Sequence, residues 1–436
     1  MPEKILISNV SVIAMTSDHV LHNQDVEIEG RLIKSVSEAK RRVRPSGQVI
    51  DGTGKFLIPG LFDMHTHMND KKFLPLFLMN GVTAIRELGN VDDSIFELKE
   101  QSKKDTFLGP RMFVSGKILE GDPPFWDGFE VIHSKTEAVA AVRELKQKGA
   151  DFVKVYHTLP KDLYEAILDE AKKQDLKVTG HVPNDMSATE ALDAGQSCIE
   201  HMSQITMNVG KVIDEGANEP GYKGWRRFTG YKVNDSVFGK LLDSLQKQDA
   251  YICPTLVVEQ KISALEDYDS LASSAEAGYM DASYTEEEWN PNHKNAASNI
   301  KGVRPLWFKN YGVIFGGSKT LIKQLAQHAT ILAGTDTPNP FVIPGFSLHS
   351  ELELLVESGL SPYEAMQAAT TNAAKYLEVR DELGTIEAGK IANLVLLSEN
   401  PLESISHTRT ALGIVLNGQY HEVDKLKELA RKPLAQ

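Results

Sequence analysis

The feature that most constrains this chain is an alternation along its middle, where short apolar, β-branched-rich runs are separated by segments of helical character. Eight runs read as strands: Leu57–Asp63, Val82–Arg86, Met112–Ser115, Phe152–Tyr156, Lys177–Thr179, Cys198–Glu200, Tyr251–Thr255 and Thr330–Ala333. Parallel strands need long crossovers, and a helix in each crossover makes a repeating βα unit. Eight such units is the count of a closed sheet, so the predicted fold is α/β, a (β/α)8 TIM barrel. Helix starts at Ser134-Lys135-Thr136-Glu137, Ser187-Ala188-Thr189-Glu190 and Ser361-Pro362-Tyr363-Glu364 each fit a capping box.

The two ends differ from the middle. Ile5 to Val12, Asp25 to Glu29, Leu32 to Val36 and Gln48 to Asp51 read as strands punctuated by glycine. Similar signals return only at Ala392 to Leu397, Gly413 to Leu416 and, across the turn Asn417-Gly418, Gln419 to Val423. The simplest arrangement pairs both ends into one small β-sandwich. The 436 residues then divide into 1–56, a barrel over 57–378, and 379–436 with a tail. Strand spacing is about one βα unit except before Thr330, where residues 259–329 form an insertion rich in Ala, Glu, Tyr and Trp. It is predicted to be helical and to rise as a lid from the face where barrel chemistry sits.

Composition closes off other classes. The balance of 47 basic and 60 acidic residues leaves −13, and no basic block offers a nucleic-acid footprint. Cys198 and Cys253 lie far apart in apolar runs and are expected to be buried thiols in a reducing compartment. No run of about 18 apolar residues spans a membrane, and polar residues interrupt the N-terminal apolar run before a signal-peptide core forms. The expected location is the cytoplasm.

Chemistry concentrates at the predicted strand ends. In Pro59-Gly60-Leu61-Phe62-Asp63-Met64-His65-Thr66-His67, extended backbone puts His65 and His67 on one face, where two imidazoles converge on one cation. His181 ends the fifth strand, His201 the sixth and Asp336 the eighth. In a closed barrel those ends ring one mouth. Lys154 sits inside the fourth strand, where desolvation favours the neutral amine. A neutral amine adds carbon dioxide to give a carbamate whose two oxygens can bridge two metals.

With these residues in place the chain resembles the amidohydrolase superfamily, in its imidazolonepropionase-like and Xaa-Pro dipeptidase-like branch with a binuclear metal centre. The likeness runs from the N-terminal strands through His65-Thr66-His67 to Ala368-Ala369-Thr370-Thr371-Asn372-Ala373-Ala374 and Gly384-Thr385-Ile386-Glu387-Ala388-Gly389-Lys390. The resemblance implies that His65, His67 and Asp336 hold one divalent metal, His181 and His201 a second, and carboxylated Lys154 both. Zinc is the first expectation, with manganese, cobalt or iron as alternatives. It also implies a bridging hydroxide as nucleophile, Asp336 as proton acceptor, and assembly into a homo-oligomer. A non-catalytic scaffold that has lost its ligands is the competing class, and six filled positions argue against it.

Tyr156 and His157 follow Lys154 and are candidates to steady the bridging group or an oxyanion. Arg86 is expected to anchor a carboxylate at the mouth, and His349 is either structural or catalytic. The loop Gly116 to Trp126 and the run His181-Val182-Pro183 depart from the dipeptidase pattern. Pro123, Pro124, Phe125 and Trp126, with the aromatics of the insertion, suggest an apolar pocket wall. The preferred reaction is therefore hydrolysis of an amide in a small N-acyl amino acid, dipeptide or aromatic amide. A cyclic amide, lactone or phosphotriester is the alternative substrate.

Overall fold

The computed structural model of the protein describes residues 4–39, 47–218, 226–297, 300–303 and 305–431, without the side chains of 215–218. The first three residues, the end of the predicted tail and positions 298, 299 and 304 of the predicted insertion lie outside the described residues. The fold is mixed α/β, with parallel strands that alternate with helices through the middle of the chain.

Both chain ends meet in one eight-stranded sheet. Lys4–Val12 pairs with Leu21–Glu29 on one edge, and on the other with Gln48–Asp51 and then Phe56–Pro59. The C-terminal strands Leu394–Leu397, Ala411–Leu416 and Gln419–Glu422 join through Phe56–Pro59. The predicted Asn417-Gly418 turn is there, and both residues take the positive φ (48° and 79°) that a two-residue hairpin of this kind requires.

The first predicted inner strand, Leu57–Asp63, is two strands and not one. Its first half, Phe56–Pro59, belongs to the end sheet, and Leu61–Thr66 belongs to the central parallel strands. The break falls at Gly60, where an added Cβ would overlap the Thr83 side chain. Leu61–Thr66, Val82–Glu87 and Arg111–Val114 form a three-stranded parallel sheet. A seven-stranded parallel sheet runs Glu130–Val131, Leu119–Glu120, Phe152–Val155, Lys177–Gly180, Cys198–Glu200, Tyr251–Cys253 and Thr330–Ile331.

Hydrogen bonds tie the two sheets together at both margins. Asp151 N–H donates to Val114 O (2.8 Å), while Met64 N–H donates to Ala333 O (2.9 Å) and Asp336 N–H to His65 O (2.7 Å). Alternate strand residues sort into two cores. Ala84, Phe113, Phe152, Cys198, Tyr251 and Leu332 pack in one cluster, whereas their neighbours Ile85, Met112, Val153, Ile199, Ile252 and Ile331 pack with the helices. This is the period-two division of strands buried on both faces.

Two predicted capping boxes, at Ser187 and Ser361, are complete. At Ser134 only half forms: its hydroxyl accepts from Glu137 N–H, but Glu137 reaches back to His133 N–H. Residues 259–329 are largely helical among those described and include the long helix Pro305–Leu325. An antiparallel hairpin, Gly210–Asn218 with Arg226–Val233, was not anticipated, because its polar, glycine-containing strands lack a clear alternating pattern. The hairpin docks on the long helix through Asn310, which accepts from Phe228 N–H (2.9 Å) and donates to Arg226 O (2.9 Å). No helix among the described residues is long and apolar enough to cross a membrane.

Candidate metal centre

The six predicted ligands come from four strand ends, one of which supplies both His65 and His67, and one strand interior, and all six line a single cavity of about 460 Å³. His65 lies in Leu61–Thr66, with His67 just beyond it, and Lys154 lies within Phe152–Val155. His181 and His201 follow their strands directly, and Asp336 lies a few residues beyond Thr330–Ile331. His201 and Asp336 adopt positive φ (68° and 65°), a conformation that costs a non-glycine residue energy and is kept where the surroundings enforce it. Gly334 lets the Asp336 segment press against Leu61–Thr66: a Cβ there would stand 2.7 Å from His65 N and 2.5 Å from Cys253 Sγ.

Donor atoms of His65, His67 and Asp336 lie within 4.8 Å of one another. Asp336 Oδ1 is 3.1 Å from His67 Nε2 and 3.3 Å from His65 Nε2, and Lys154 Nζ is 3.4 Å from the same His65 nitrogen. The His201 ring packs between those of His65 (4.7 Å between centroids) and His181 (4.6 Å).

Each of the four imidazoles has its Nδ1 engaged by the protein. His65 Nδ1 meets Glu200 Oε2 at 2.8 Å, and His67 Nδ1 meets Gly89 O at 3.1 Å. His201 Nδ1 meets Thr255 Oγ1 at 2.8 Å, and His181 Nδ1 meets His157 Nδ1 at 3.1 Å. In His65 and His67 these contacts turn Nε2 toward Asp336, the arrangement by which outer partners orient metal-binding histidines. This donor set fits a divalent cation at His65, His67 and Asp336, with His181 and His201 beside it.

Electrostatics follow from burial. Desolvation holds His65 and His181 well below the usual histidine range and takes His201 down to about 4, so these rings are neutral and able to ligate. Burial also pushes Lys154 down from the ordinary lysine value, toward the free amine that carbon dioxide attacks. Burial opposes charge on Asp336, but His65, His201 and His67 outweigh it and keep the carboxylate ionised. Glu200 is likewise held low against burial by Arg86 and His65.

Arg86 does not stand at the mouth. It lies wholly buried behind the histidines, with Nη2 2.7 Å from Glu200 Oε1 and Nε donating to Met64 O. Sequence reasoning found Arg86 but missed Glu200, whose signal was a carboxylate in a buried strand one residue before His201. Thr255 was missed too, since a threonine after a strand carries no distinguishing pattern. Tyr156 stacks on His181 with centroids 3.8 Å apart, and His157 touches the same ring. His349 is buried against Thr408 (2.9 Å) and does not line the cavity. Cys198 and Cys253 are free and buried.

Phe125, Trp126 and Phe129 line the cavity on one side, whereas Pro123 and Pro124 do not. The insertion contributes Glu288, Ala297 and Tyr311 to the wall. Its other aromatics pack elsewhere: Trp289 is buried with its indole N–H donating to Pro338 O (3.1 Å), and Trp307 stacks on Tyr311.

Comparison with known proteins agrees with this geometry. The model of the amidohydrolase family matches residues 56–213 and 292–420, and the chain belongs to that family. It is a hydrolase that acts on carbon–nitrogen bonds. A 5-methylthioadenosine/S-adenosylhomocysteine deaminase of Caldanaerobacter subterraneus subsp. tengcongensis is 24% identical over 418 residues, covering 91% of this chain and 85% of the relative. Ochratoxinase of Aspergillus niger is 24% identical over 421 residues, covering 80% and 71%. Among solved structures, a Xaa-Pro dipeptidase with bound methionine superposes with a TM-score of 0.72 at 19% identity, covering 96% of this chain and 100% of that one.

Proposed function

We propose that the protein is a metal-dependent amidohydrolase that cleaves the amide bond of a small N-acyl amino acid, dipeptide or aromatic amide. The observation that carries this reading is the set of four histidines, each with Nδ1 held by another protein group, gathered around Asp336 and Lys154. His65, His67 and Asp336 would hold one divalent ion, His181 and His201 the second, and Lys154, carboxylated by carbon dioxide, would join the two. Bound there, two such ions, zinc foremost, would supply an activated water and polarise the scissile carbonyl.

The chain's own residues do the rest. Asp336, ionised among three histidines, takes a proton at its free carboxylate oxygen and returns it to the leaving nitrogen. Tyr156 and His157 hold the His181 ring in place by stacking and by the Nδ1 contact. Phe125, Trp126 and Phe129 offer an apolar wall to an aromatic portion of the substrate.

The same reading extends to the architecture. The two parallel sheets, tied by hydrogen bonds at both margins and sharing one inner cluster, form the (β/α)8 barrel of residues 57–378. The end sheet, branched where Lys4–Val12 pairs with two successive strands on one edge, folds as a β-sandwich of 1–56 and 379–436. The reduced thiols suit a cytoplasmic enzyme, and a homo-oligomer is the expected assembly.

The test is metal analysis together with a substrate panel. Protein purified without chelator should carry close to two divalent ions per chain, and Lys154→Ala should lose metal and activity together, with partial rescue by short carboxylates. The panel sets Xaa-Pro dipeptides, N-acyl aromatic amino acids and aromatic amides against lactones and an aryl phosphotriester. Turnover of the lactones alone, or wild-type metal content in Lys154→Ala, overturns the reading.

A further inference from the structure

Gln204 lies in the first turn of helix Met202–Val209, three residues after His201, and it lines the metal cavity. Its Oε1 accepts the Val182 N–H at 2.7 Å, which fixes which end of the carboxamide is oxygen. Val182 itself is buried and not part of the cavity wall. The nitrogen, Nε2, makes no hydrogen bond among the described residues, yet it keeps open surface on a side chain that is only half-buried. The polar atom that Gln204 offers to a ligand in the cavity is therefore an N–H donor.

Asn339, three residues after Asp336 and also in the cavity wall, is oriented the other way. Its Nδ2 donates to Asp336 O (2.8 Å), so Oδ1 is the atom left without a partner among the described residues. Charge on the wall is one-sided: apart from Lys154 at the metal centre, the described lining residues include no lysine and no arginine, while Asp127 and Glu288 add acidic side chains. A substrate carboxylate would meet no side-chain cation on that wall. A carboxylate offers only acceptors and an ammonium only donors, whereas an uncharged amide carries both, the complements of Gln204 and Asn339.

We propose that Gln204 is a specificity-determining residue, and that its Nε2 donates a hydrogen bond to an uncharged carbonyl oxygen of the substrate, separate from the carbonyl that is cleaved. This deepens the amidohydrolase reading and rests on it for the reaction. It selects, among small amides, dipeptides and N-acyl amino acids whose terminal carboxyl is itself an amide, over free acids and over aromatic amides with no second carbonyl. The Val182 N–H holds the carboxamide in one orientation before substrate arrives, so the donor is presented without a further ordering cost.

Binding can be tested apart from turnover. Metal-loaded protein is titrated calorimetrically with 4-phenylbutan-2-one and with 4-phenylbutan-2-amine, which share a carbon skeleton and differ in carrying a carbonyl or an ammonium. Neither holds an amide to be cleaved. Wild type should bind the ketone about threefold to tenfold more tightly, in keeping with one hydrogen bond to a neutral acceptor. Gln204→Glu keeps the oxygen that accepts from Val182 and turns the cavity-facing donor into an acceptor, so it should reverse the order while metal content and circular dichroism stay as in wild type. Equal or tighter binding of the amine by wild type, or an unchanged order in Gln204→Glu, overturns the proposal. The wild-type order decides alone should the variant not fold.

A kinetic arm follows acetate release from N-acetylphenylalaninamide and from N-acetylphenylalanine. Wild type should show the lower KM for the amide, and Gln204→Glu should raise that KM with kcat little changed, as loss of uniform binding does. A lower wild-type KM for the free acid overturns the choice of an uncharged carbonyl. If no amide is cleaved yet the advantage of the ketone depends on Gln204, the reaction assigned above fails and the subsite stands. If amides are cleaved while Gln204→Glu leaves the binding order and the KM untouched, the subsite fails and the reaction stands.

Discussion

Two openings lie at opposite ends of the same parallel strands, and the larger one is not where the chemistry gathers. The cleft at the strands' N-terminal ends measures about 850 Å³, against about 460 Å³ for the histidine-lined cavity at the C-terminal ends. Charged groups line both. Those of the larger cleft are taken up in ordinary ion pairs: Lys99 with Asp151 (2.7 Å), Arg111 with Glu382 (2.9 Å) and Lys177 with Glu378 (2.7 Å). In the smaller one, burial keeps the imidazoles of His65, His181 and His201 neutral, and each is oriented by a second protein group. What marks a site is convergence of groups whose protonation the fold has chosen. Size does not mark it.

Four substitutions break or sharpen that contrast, the largest effect first. Asp336→Asn removes the proposed proton acceptor and metal ligand while keeping the shape, and should lower kcat/KM by about 10²–10⁴-fold, the range for losing a positioned general base. Steady-state kinetics on the best amide checks this, and a loss under tenfold would remove Asp336 from the reaction.

Arg86→Met acts behind the same cavity. It strands Glu200 as an uncompensated charge, since both side chains are wholly buried, and should cost about 3–5 kcal/mol of stability. Because Glu200 orients His65, metal affinity should also fall by about 10–100-fold. Denaturant unfolding and metal titration read the two effects separately.

Glu351, buried in helix Phe346–Glu357, connects pH to stability. One oxygen accepts Val257 N–H (2.8 Å) and the other has no partner, and burial pushes its carboxyl up to about 8 from an ordinary 4.5. The folded protein thus holds a proton that the unfolded chain releases. Its contribution is complete below about pH 4.5 and is lost as pH rises through about 8. Glu351→Gln keeps an acceptor for Val257 and should flatten the fall in Tm between about pH 4.5 and about pH 8. An unchanged slope would place the titration elsewhere.

Lys177→Ala, in the larger cleft, is the control with the smallest effect. Its partner Glu378 is mostly exposed, so the pair is worth under about 1 kcal/mol, and kcat/KM should not change. A large loss of activity would give the larger cleft a role in the reaction.

The sequence carried more of the site than of its support. A His-X-His at one strand end, single histidines at two others, an aspartate after Gly334-Thr335 and a lysine inside a strand were legible because strand ends and inward positions follow from local pattern. Arg86 was legible as a residue and misread in its place, because its partner Glu200 is 114 residues away in the chain. The break at Gly60 was hidden, since the apolar run passes through it while pairing changes from one sheet to another.

Local periodicity and composition thus determined, from the sequence by itself, the alternating α/β order, the pairing of the two ends and the identity of the candidate ligands. Only the tertiary structure decided which imidazole nitrogens are held by other protein groups and which carboxylate is held charged by Arg86. The reason is physical: residue type and spacing set which groups a strand end presents, whereas desolvation and hydrogen-bond partners are supplied by segments a hundred or more residues apart, which meet only when the chain has folded.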